Sequence, residues 1–195
     1  RGCRPGTGLS EAAAEVTNHQ GLTPTAAAIG ATEVTVTLGA TLASANQYAE
    51  GYLLVTVTPG DGLQYKIKSH PAATAAALTF QLEDPIQVAL TPTSRLDFVA
   101  NPYNSVIVTP TTPTGVVVGA VVNAIAASSY GWVQTWGPAP VIADAGGALT
   151  VDDAISTSNA TSGTVEVAVA GQPNIGYAMT GIAANETGLA FLRIA

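Results

Sequence analysis

The sequence is poor in charged residues. They occupy 10% of its 195 positions, against about 25% in an ordinary soluble domain. Its six basic residues form no cluster, and the net charge is −7. The chain therefore lacks the basic patch that nucleic-acid phosphates or an anionic membrane surface would require, and we expect neither nucleic acid nor membrane among its partners.

A long hydrophobic run is also missing. The longest apolar run, residues 115–127, is interrupted by Asn123 and is shorter than the roughly 20 residues of a membrane-spanning helix. One cysteine, Cys3, excludes an internal disulfide and a thiolate metal cluster. The sequence does not begin with Met and its first residues match no secretory signal. We expect that the start of the protein was either removed or lies outside this sequence.

Histidine is scarce, which limits the possible catalytic arrangements. The chain has only His19 and His70, and a nucleophilic triad needs one of them beside both a nucleophile and a carboxylate. We expect hydrogen-bonded turn histidines instead. The acid pairs Glu83-Asp84 and Asp152-Asp153 lie next to turns, where adjacent carboxylates are usually solvated rather than metal-bound or catalytic. We therefore expect no catalytic residue, no metal ion and no cofactor.

Threonine, glycine and proline are plentiful, with 25, 20 and 12 residues, and they favour strands and turns. Alternation over residues 33–38, and a hairpin pattern over residues 52–57 and 63–68, indicate antiparallel strands. Regular spacing of strands and turns predicts an all-β chain built from antiparallel sandwich or barrel units. The other predicted strands are 78–82, 86–90, 95–99, 105–109, 116–118, 121–127, 165–169, 176–180 and 189–194, with residues 152–163 as a loop.

Composition divides the chain into four parts. Residues 1–30 are predicted to be an extended N-terminal arm with a short helix at 11–17 that Ser10 caps. A first β unit follows at 31–109, then a stiff Pro/Thr linker at 110–114, then a second β unit at 115–195. The arm is expected to reach a neighbouring subunit, and its candidate contact residues are Leu9, Val16, Leu22 and Ile29.

Residues 130–142 are the most distinctive stretch, because they hold both tryptophans. In a single strand, Trp132, Gln134 and Trp136 share one face, and Gly137-Pro138 ends that strand. With Tyr130, these residues are candidates for a buried core stripe or a subunit interface. A third alternative is a carbohydrate platform, in which the indoles stack on sugar and Gln134 bonds its hydroxyls. The core stripe is the prediction, and the other two alternatives stay open.

Six short motifs lie between residues 31 and 144: YAEGYL (48–53), YKIKSHPA (65–72), LEDP (82–85), NPYN (101–104), PTTPTG (110–115) and YGWVQTWGPA (130–139). As a set they resemble a family of tailed-bacteriophage virion proteins that decorate or cement the head shell. The resemblance brings no catalytic residue.

The resemblance implies a non-enzymatic protein on the capsid surface of the virion. Its partner would be the major capsid protein, and it would form a homo-oligomer, with a trimer as the first expectation. A phage tail protein or a host-surface, glycan-binding virion protein is the alternative. A hydrolase that uses His70 is the remaining one.

Overall fold

The computed structural model describes residues 8–194, and over this range the chain is all-β. Its strands form three antiparallel sheets, which confirms the predicted fold class. Among the described residues there is no helix with the length and hydropathy that crossing a membrane requires. The chain divides into two compact units. We call Glu15–Asn104 the barrel unit, and we call residues 8–14 together with 105–194 the sandwich unit.

Short strands make up both units. They are β1 (Leu9–Glu11), β2 (Thr23–Pro24), β3 (Glu33–Thr37), β4 (Tyr52–Val57), β5 (Gln64–Ser69), β6 (Ala77–Leu82), β7 (Arg95–Val99), β8 (Ile107–Val108), β9 (Val117–Val121), β10 (Val133–Gln134), β11 (Trp136–Ile142), β12 (Ala154–Thr157), β13 (Val165–Val167), β14 (Gly176–Ala178) and β15 (Thr187–Arg193). A 3-10 turn at Thr17–His19 lies between β1 and β2.

The barrel unit is one six-stranded sheet in the order β2-β3-β6-β5-β4-β7. β4 and β5 form the predicted hairpin. Val34 and Val36 point into the core, as do Tyr65 and Ile67, because each strand alternates apolar and polar residues. The core also contains Phe80 and Phe98, whose rings stack with centroids 4.2 Å apart.

The sheet of the barrel unit closes on itself through residues 22–27. Leu22 and Leu96 exchange both of their backbone hydrogen bonds, each 2.9 Å long, and Ala27 and Leu90 exchange another pair at 3.0 and 2.9 Å. Since β2 also pairs with β3, the chain just before β2 joins the two ends of the sheet into a small barrel. Residues 22–27 therefore belong to the barrel wall, and the prediction that they form an extended arm is wrong.

The sandwich unit has two sheets, ordered β10-β9-β1-β8 and β11-β15-β14-β12-β13. Leu9 and Ala120 from the first sheet share one buried cluster with Ala139, Ile155 and Leu192 from the second. The inner faces of the two sheets therefore meet in a common core, as in other β-sandwiches.

The start of the described chain belongs to this sandwich. β1 lies between β9 and β8, so the predicted helix at 11–17 is wrong. The predicted linker at 110–114 is tied to β1, because the N–H and the hydroxyl of Thr114 donate to Oε1 of Glu11 at 3.0 and 2.9 Å. The compact units accordingly divide the chain after Ala14 and after Asn104, rather than at residue 30 and at 110–114.

Three further assignments differ from the sequence prediction. The strand predicted at 121–127 ends at Val121, with β9, and the rest of that range is loop. Residues 86–90 form no strand beyond the bridge at Leu90, and the predicted loop at 152–163 contains β12. β12 was missed because Ser156 and Thr157 are typical of loops, whereas here both are buried. Polar strands of this kind carry little hydrophobic periodicity.

Candidate interaction surface

Both histidines are committed to hydrogen bonds inside the barrel unit. Nε2 of His19 lies 2.8 Å from the carbonyl oxygen of Thr41 and donates to it, so Nδ1 accepts from the Tyr48 hydroxyl at 2.5 Å. Nδ1 of His70 donates to the carbonyl of Pro71 at 2.9 Å, and Nε2 accepts from the backbone N–H of Tyr48 at 3.0 Å. The histidines are thus hydrogen-bonded at turns, as the sequence predicts.

Burial shifts the pKa of two members of this cluster, His70 and Tyr48. It lowers the pKa of His70 and raises the pKa of Tyr48, because a charge on either group would be poorly solvated. A neutral His70 is also what its bond to the N–H of Tyr48 requires. His70 therefore holds the polypeptide chain in place, which is not the geometry of a general base open to substrate.

The paired acids lie at turns, as expected. Oδ2 of Asp153 accepts from the N–H and the hydroxyl of Thr150 at 2.7 and 2.9 Å, while Glu83, Asp84 and Asp152 are exposed. Within residues 8–194, no three His, Cys, Asp or Glu side chains come together in a way that could hold a metal ion. Cys3 lies outside the described residues.

The tryptophans lie on the surface of the sandwich unit. Trp132 is 86% exposed, Trp136 is 56% exposed, and Tyr130 is fully exposed. The prediction of a buried core stripe is therefore wrong. The interface and carbohydrate alternatives both require exposed rings.

The core prediction failed because the stretch is not one strand. The chain passes from one sheet to the other at Thr135, so that Gln134 ends β10 in one sheet and Trp136 begins β11 in the other. The side-chain amide of Gln134 spans this break and donates to the carbonyls of Trp136 and Pro138 at 3.0 and 2.6 Å. Its N–H groups thus hold the corner between the sheets, and they are not free to bond a sugar.

The expected break at Gly137-Pro138 does not occur, because β11 is an edge strand. Its backbone bonds to β15 fall at odd-numbered residues, as the bonds of Ile194 N–H to the Thr135 carbonyl and of Ala143 N–H to the Glu186 carbonyl show, both at 3.0 Å. By the alternation of an antiparallel ladder, the nitrogens of even-numbered residues point to the open edge. Pro138 and Pro140 therefore sit where no N–H is needed.

Outward-pointing side chains of β11, β15 and β14 build a contiguous surface that we call the aromatic face. Strand register puts them in three rows: Trp136 beside Arg193; Pro138, Phe191 and Tyr177; and Pro140, Leu189 and Met179. All eight are exposed or half-buried, whereas the alternate residues Ala139, Ala178, Ala190 and Leu192 are buried. This sheet buries mainly small side chains and leaves its largest ones outside.

The rings of the aromatic face are packed against one another. Tyr177 and Phe191 are stacked, with centroids 5.3 Å apart and planes 6° apart, and Trp136 meets Phe191 edge to face at 5.7 Å. The guanidinium of Arg193 lies 5.6 Å from the centroid of the Tyr177 ring. Contacts of this kind fix the rings as a preformed surface.

Arg193 is the one basic residue among the described residues of the sandwich unit. The aromatic face contains no acid, and in residues 8–194 the ion pair within 4.0 Å is Lys66 with Glu50, so Arg193 has no carboxylate partner there. The surface is therefore apolar and aromatic, with one positive charge that no acid of the described range neutralises.

The predicted arm contacts are divided between core and surface. Leu9 and Leu22 are buried in the cores of their own units, so the prediction that they contact another subunit is wrong for this conformation. Val16 is half-buried, and Ile29 is 69% exposed. Ile29 is thus the one of the four whose side chain is free to meet a partner.

Sequence reasoning found Trp136 but missed the rest of the aromatic face. One signal in the sequence could have revealed more of it. Pro138 and Pro140 are two residues apart and follow Trp136 at the same spacing, so in a strand all three side chains point to the same side. No protein-family model, no curated protein and no solved structure matches this chain, so the aromatic face is interpreted from its geometry.

Proposed function

We propose that this chain is a non-enzymatic structural protein of a tailed-phage virion. It attaches to the outside of the head shell, contacts the major capsid protein and stabilises the junctions between capsomers as a homo-oligomer, with a trimer as the first expectation. The motif resemblance of residues 31–144 supports the protein class. The exposed aromatic face is the single structural observation that supports a contact role.

The aromatic face has the composition of a binding surface. Single apolar side chains are common on protein surfaces, but a contiguous patch of large ones marks an interaction site. Tryptophan, tyrosine and arginine carry much of the energy in protein interfaces, and the face presents Trp136, Tyr177 and Arg193. Covering it would release about 25 cal/mol per Å² of apolar area without desolvating a carboxylate.

The scarcity of charge supports the same role. A free monomer is kept apart from its neighbours by a charged surface, whereas only 10% of these residues are charged. A decoration protein acts in many symmetric copies, so modest uncharged contacts are multiplied over the shell.

Binding of a host-surface glycan is the second candidate, and the exposed ring of Trp132 favours it, since an indole can stack on a sugar. Two contacts argue against a larger platform. Tyr177 and Phe191 turn their ring faces toward each other, and the amide N–H groups of Gln134 are used inside the chain. A glycan array with no signal, together with unchanged adsorption by Trp132→Ala particles, would remove this candidate.

Co-sedimentation with phage heads that lack the protein tests the proposal. We expect the wild-type chain to bind saturably and to raise the temperature at which heads release DNA. A Trp136→Ser/Leu189→Ser variant should bind at least tenfold more weakly, because loss of the aromatic face removes subunit contacts and with them the avidity of the homo-oligomer, while Val151→Ser, which removes an exposed apolar side chain outside the aromatic face, should bind normally. Circular dichroism confirms that each variant is folded.

A reconstruction of the virion provides the decisive outcome. Density for this chain on the head surface supports the proposal, and density found only in the tail overturns it. Equal head binding by Trp136→Ser/Leu189→Ser and Val151→Ser would contradict the role of the aromatic face.

A further inference from the structure

The loop between β9 and β10 is the most exposed aromatic element of the sandwich unit. Residues 122–132 form it, and Tyr130 and Trp132 project from it with almost no contact to the rest of the chain. Ile125 packs beside Gly131, where an added Cβ would lie 2.3 Å from Cγ1 of Ile125, and Ser129 N–H bonds the carbonyl of Ala126 at 3.2 Å. The loop thus has internal packing while its two rings stay outside.

This loop is also free of charge. No Asp, Glu, Lys, Arg or His occurs between Asp97 and Asp144, a stretch that includes the whole loop and the start of the aromatic face. In a chain of net charge −7, two copies repel each other at long range wherever acids face acids. Acid-free surfaces are therefore where copies of this chain can approach each other.

The loop and the aromatic face complement each other chemically. The face offers a guanidinium that pairs with no carboxylate of residues 8–194, and the loop offers indole and phenol rings with uncovered faces. A cation over a tryptophan face is the favoured pairing of this kind, and it gains strength when water is excluded. Within one copy this pairing is not made, because Trp132 remains 86% exposed.

We propose that the aromatic face receives the 122–132 loop of a second copy of this chain, with Trp132 of one copy placed against Arg193 and Phe191 of the next. The two contacting surfaces are different, so the interface is heterologous, and such an interface closes into a ring or continues as a filament. A closed ring is the outcome consistent with the trimer of the proposed function, on which this inference rests in part.

A complementation experiment on purified protein tests this pairing. Trp132→Ser removes the contact residue of the loop and leaves the aromatic face intact, whereas Leu189→Ser alters the aromatic face and leaves the loop intact. Both side chains are exposed, so folding should be preserved. Each variant alone should sediment as a monomer at concentrations where the wild type is oligomeric. Their 1:1 mixture should form a heterodimer and stop there, because only one intact loop-face pair remains.

Controls separate this arrangement from others. Arg193→Gln should weaken assembly at least tenfold and Val151→Ser should leave it unchanged. Raising the salt concentration from 50 to about 500 mM should strengthen association, because it screens the repulsion between acidic copies more than it weakens an apolar contact. A mixture that remains monomeric, or variants that each keep the wild-type mass, would overturn the inference.

Phage heads are absent from this experiment, so its result is independent of the capsid proposal. If the heads bind the protein but complementation fails, only the loop-face pairing is lost. If complementation succeeds and heads do not bind, the pairing stands and the capsid role falls.

Discussion

Replacement of Tyr48 by phenylalanine should destabilise the barrel unit chiefly through the loss of one short hydrogen bond, to His19; the hydroxyl also accepts a longer bond, at 3.4 Å, from Nε2 of the half-buried Gln47. Tyr48 is fully buried, and its hydroxyl donates to Nδ1 of His19, which is itself fully buried. Phenylalanine fills the same space as the tyrosine ring, so packing is nearly unchanged. The loss is that of a donor to a buried acceptor, which costs about 1–3 kcal/mol, because the imidazole nitrogen then has neither water nor protein to pair with.

That loss corresponds to about a 5- to 140-fold increase in the unfolding constant, and it should lower the melting temperature by several degrees for a domain of this size. Urea unfolding followed by far-ultraviolet circular dichroism measures it. Tryptophan fluorescence gives a separate reading for the sandwich unit, where both tryptophans lie. Tyr103→Phe is the matched control, because Tyr103 is 55% exposed, and it should change stability by less than about 0.5 kcal/mol.

A double-mutant cycle identifies the partner. In a His19→Ala background, Tyr48→Phe should cost much less than in the wild type, since the acceptor is already gone. The reasoning is refuted if Tyr48→Phe unfolds at the wild-type urea midpoint, or if its cost is the same in both backgrounds.

Three further predictions concern pH, a buried carboxylate and the N-terminal segment. The stability of the barrel unit should fall as pH drops below about 6.5, because His70 takes up a proton in the unfolded chain, whereas its lowered pKa in the folded form opposes protonation. Urea midpoints measured from pH 7.5 to 5 test this. The same dependence of the midpoint on pH in His70→Gln would contradict it. Ser158→Ala removes the hydroxyl that donates to Oδ2 of Asp144 at 2.8 Å. It should lower the free energy of unfolding, followed by tryptophan fluorescence, by about 1–3 kcal/mol, whereas the exposed control Ser162→Ala should not; equal effects of the two substitutions would refute this. Deletion of residues 1–30 removes Leu22 from the barrel wall and should abolish cooperative unfolding of that unit in calorimetry, which a free arm would not do.

The strands of the barrel unit could be predicted because each has one apolar and one polar face. β4 and β7 have the bounds that alternation predicts, and Val34 and Val36 are buried as expected. The closing segment could not be predicted in this way. Leu22 stands between Gly21 and Pro24 without periodicity, and its partner Leu96 is distant in sequence, so only the folded barrel shows that the segment is part of the wall.

The aromatic face could not be predicted because both faces of β15 are apolar. Leu189 and Phe191 point out while Ala190 and Leu192 point in, and hydrophobicity alone gives no reason to choose the smaller pair as core. In the folded unit Ala190 and Leu192 belong to the buried cluster that also contains Leu9 and Ala120 of the opposite sheet. Large apolar side chains are ordinarily buried, and this general tendency led to the wrong prediction for Trp136.

The two prolines of β11 affect how the protein associates at high local concentration. A chain with so little charge would tend to aggregate by strand addition if a long sheet edge were left unpaired. At Pro138 and Pro140 the ring carbons replace the amide hydrogens that an added strand would need along that edge. Copies of this protein can therefore crowd together and meet through side chains, while the zippering that leads to amyloid is blocked at this edge by the backbone itself.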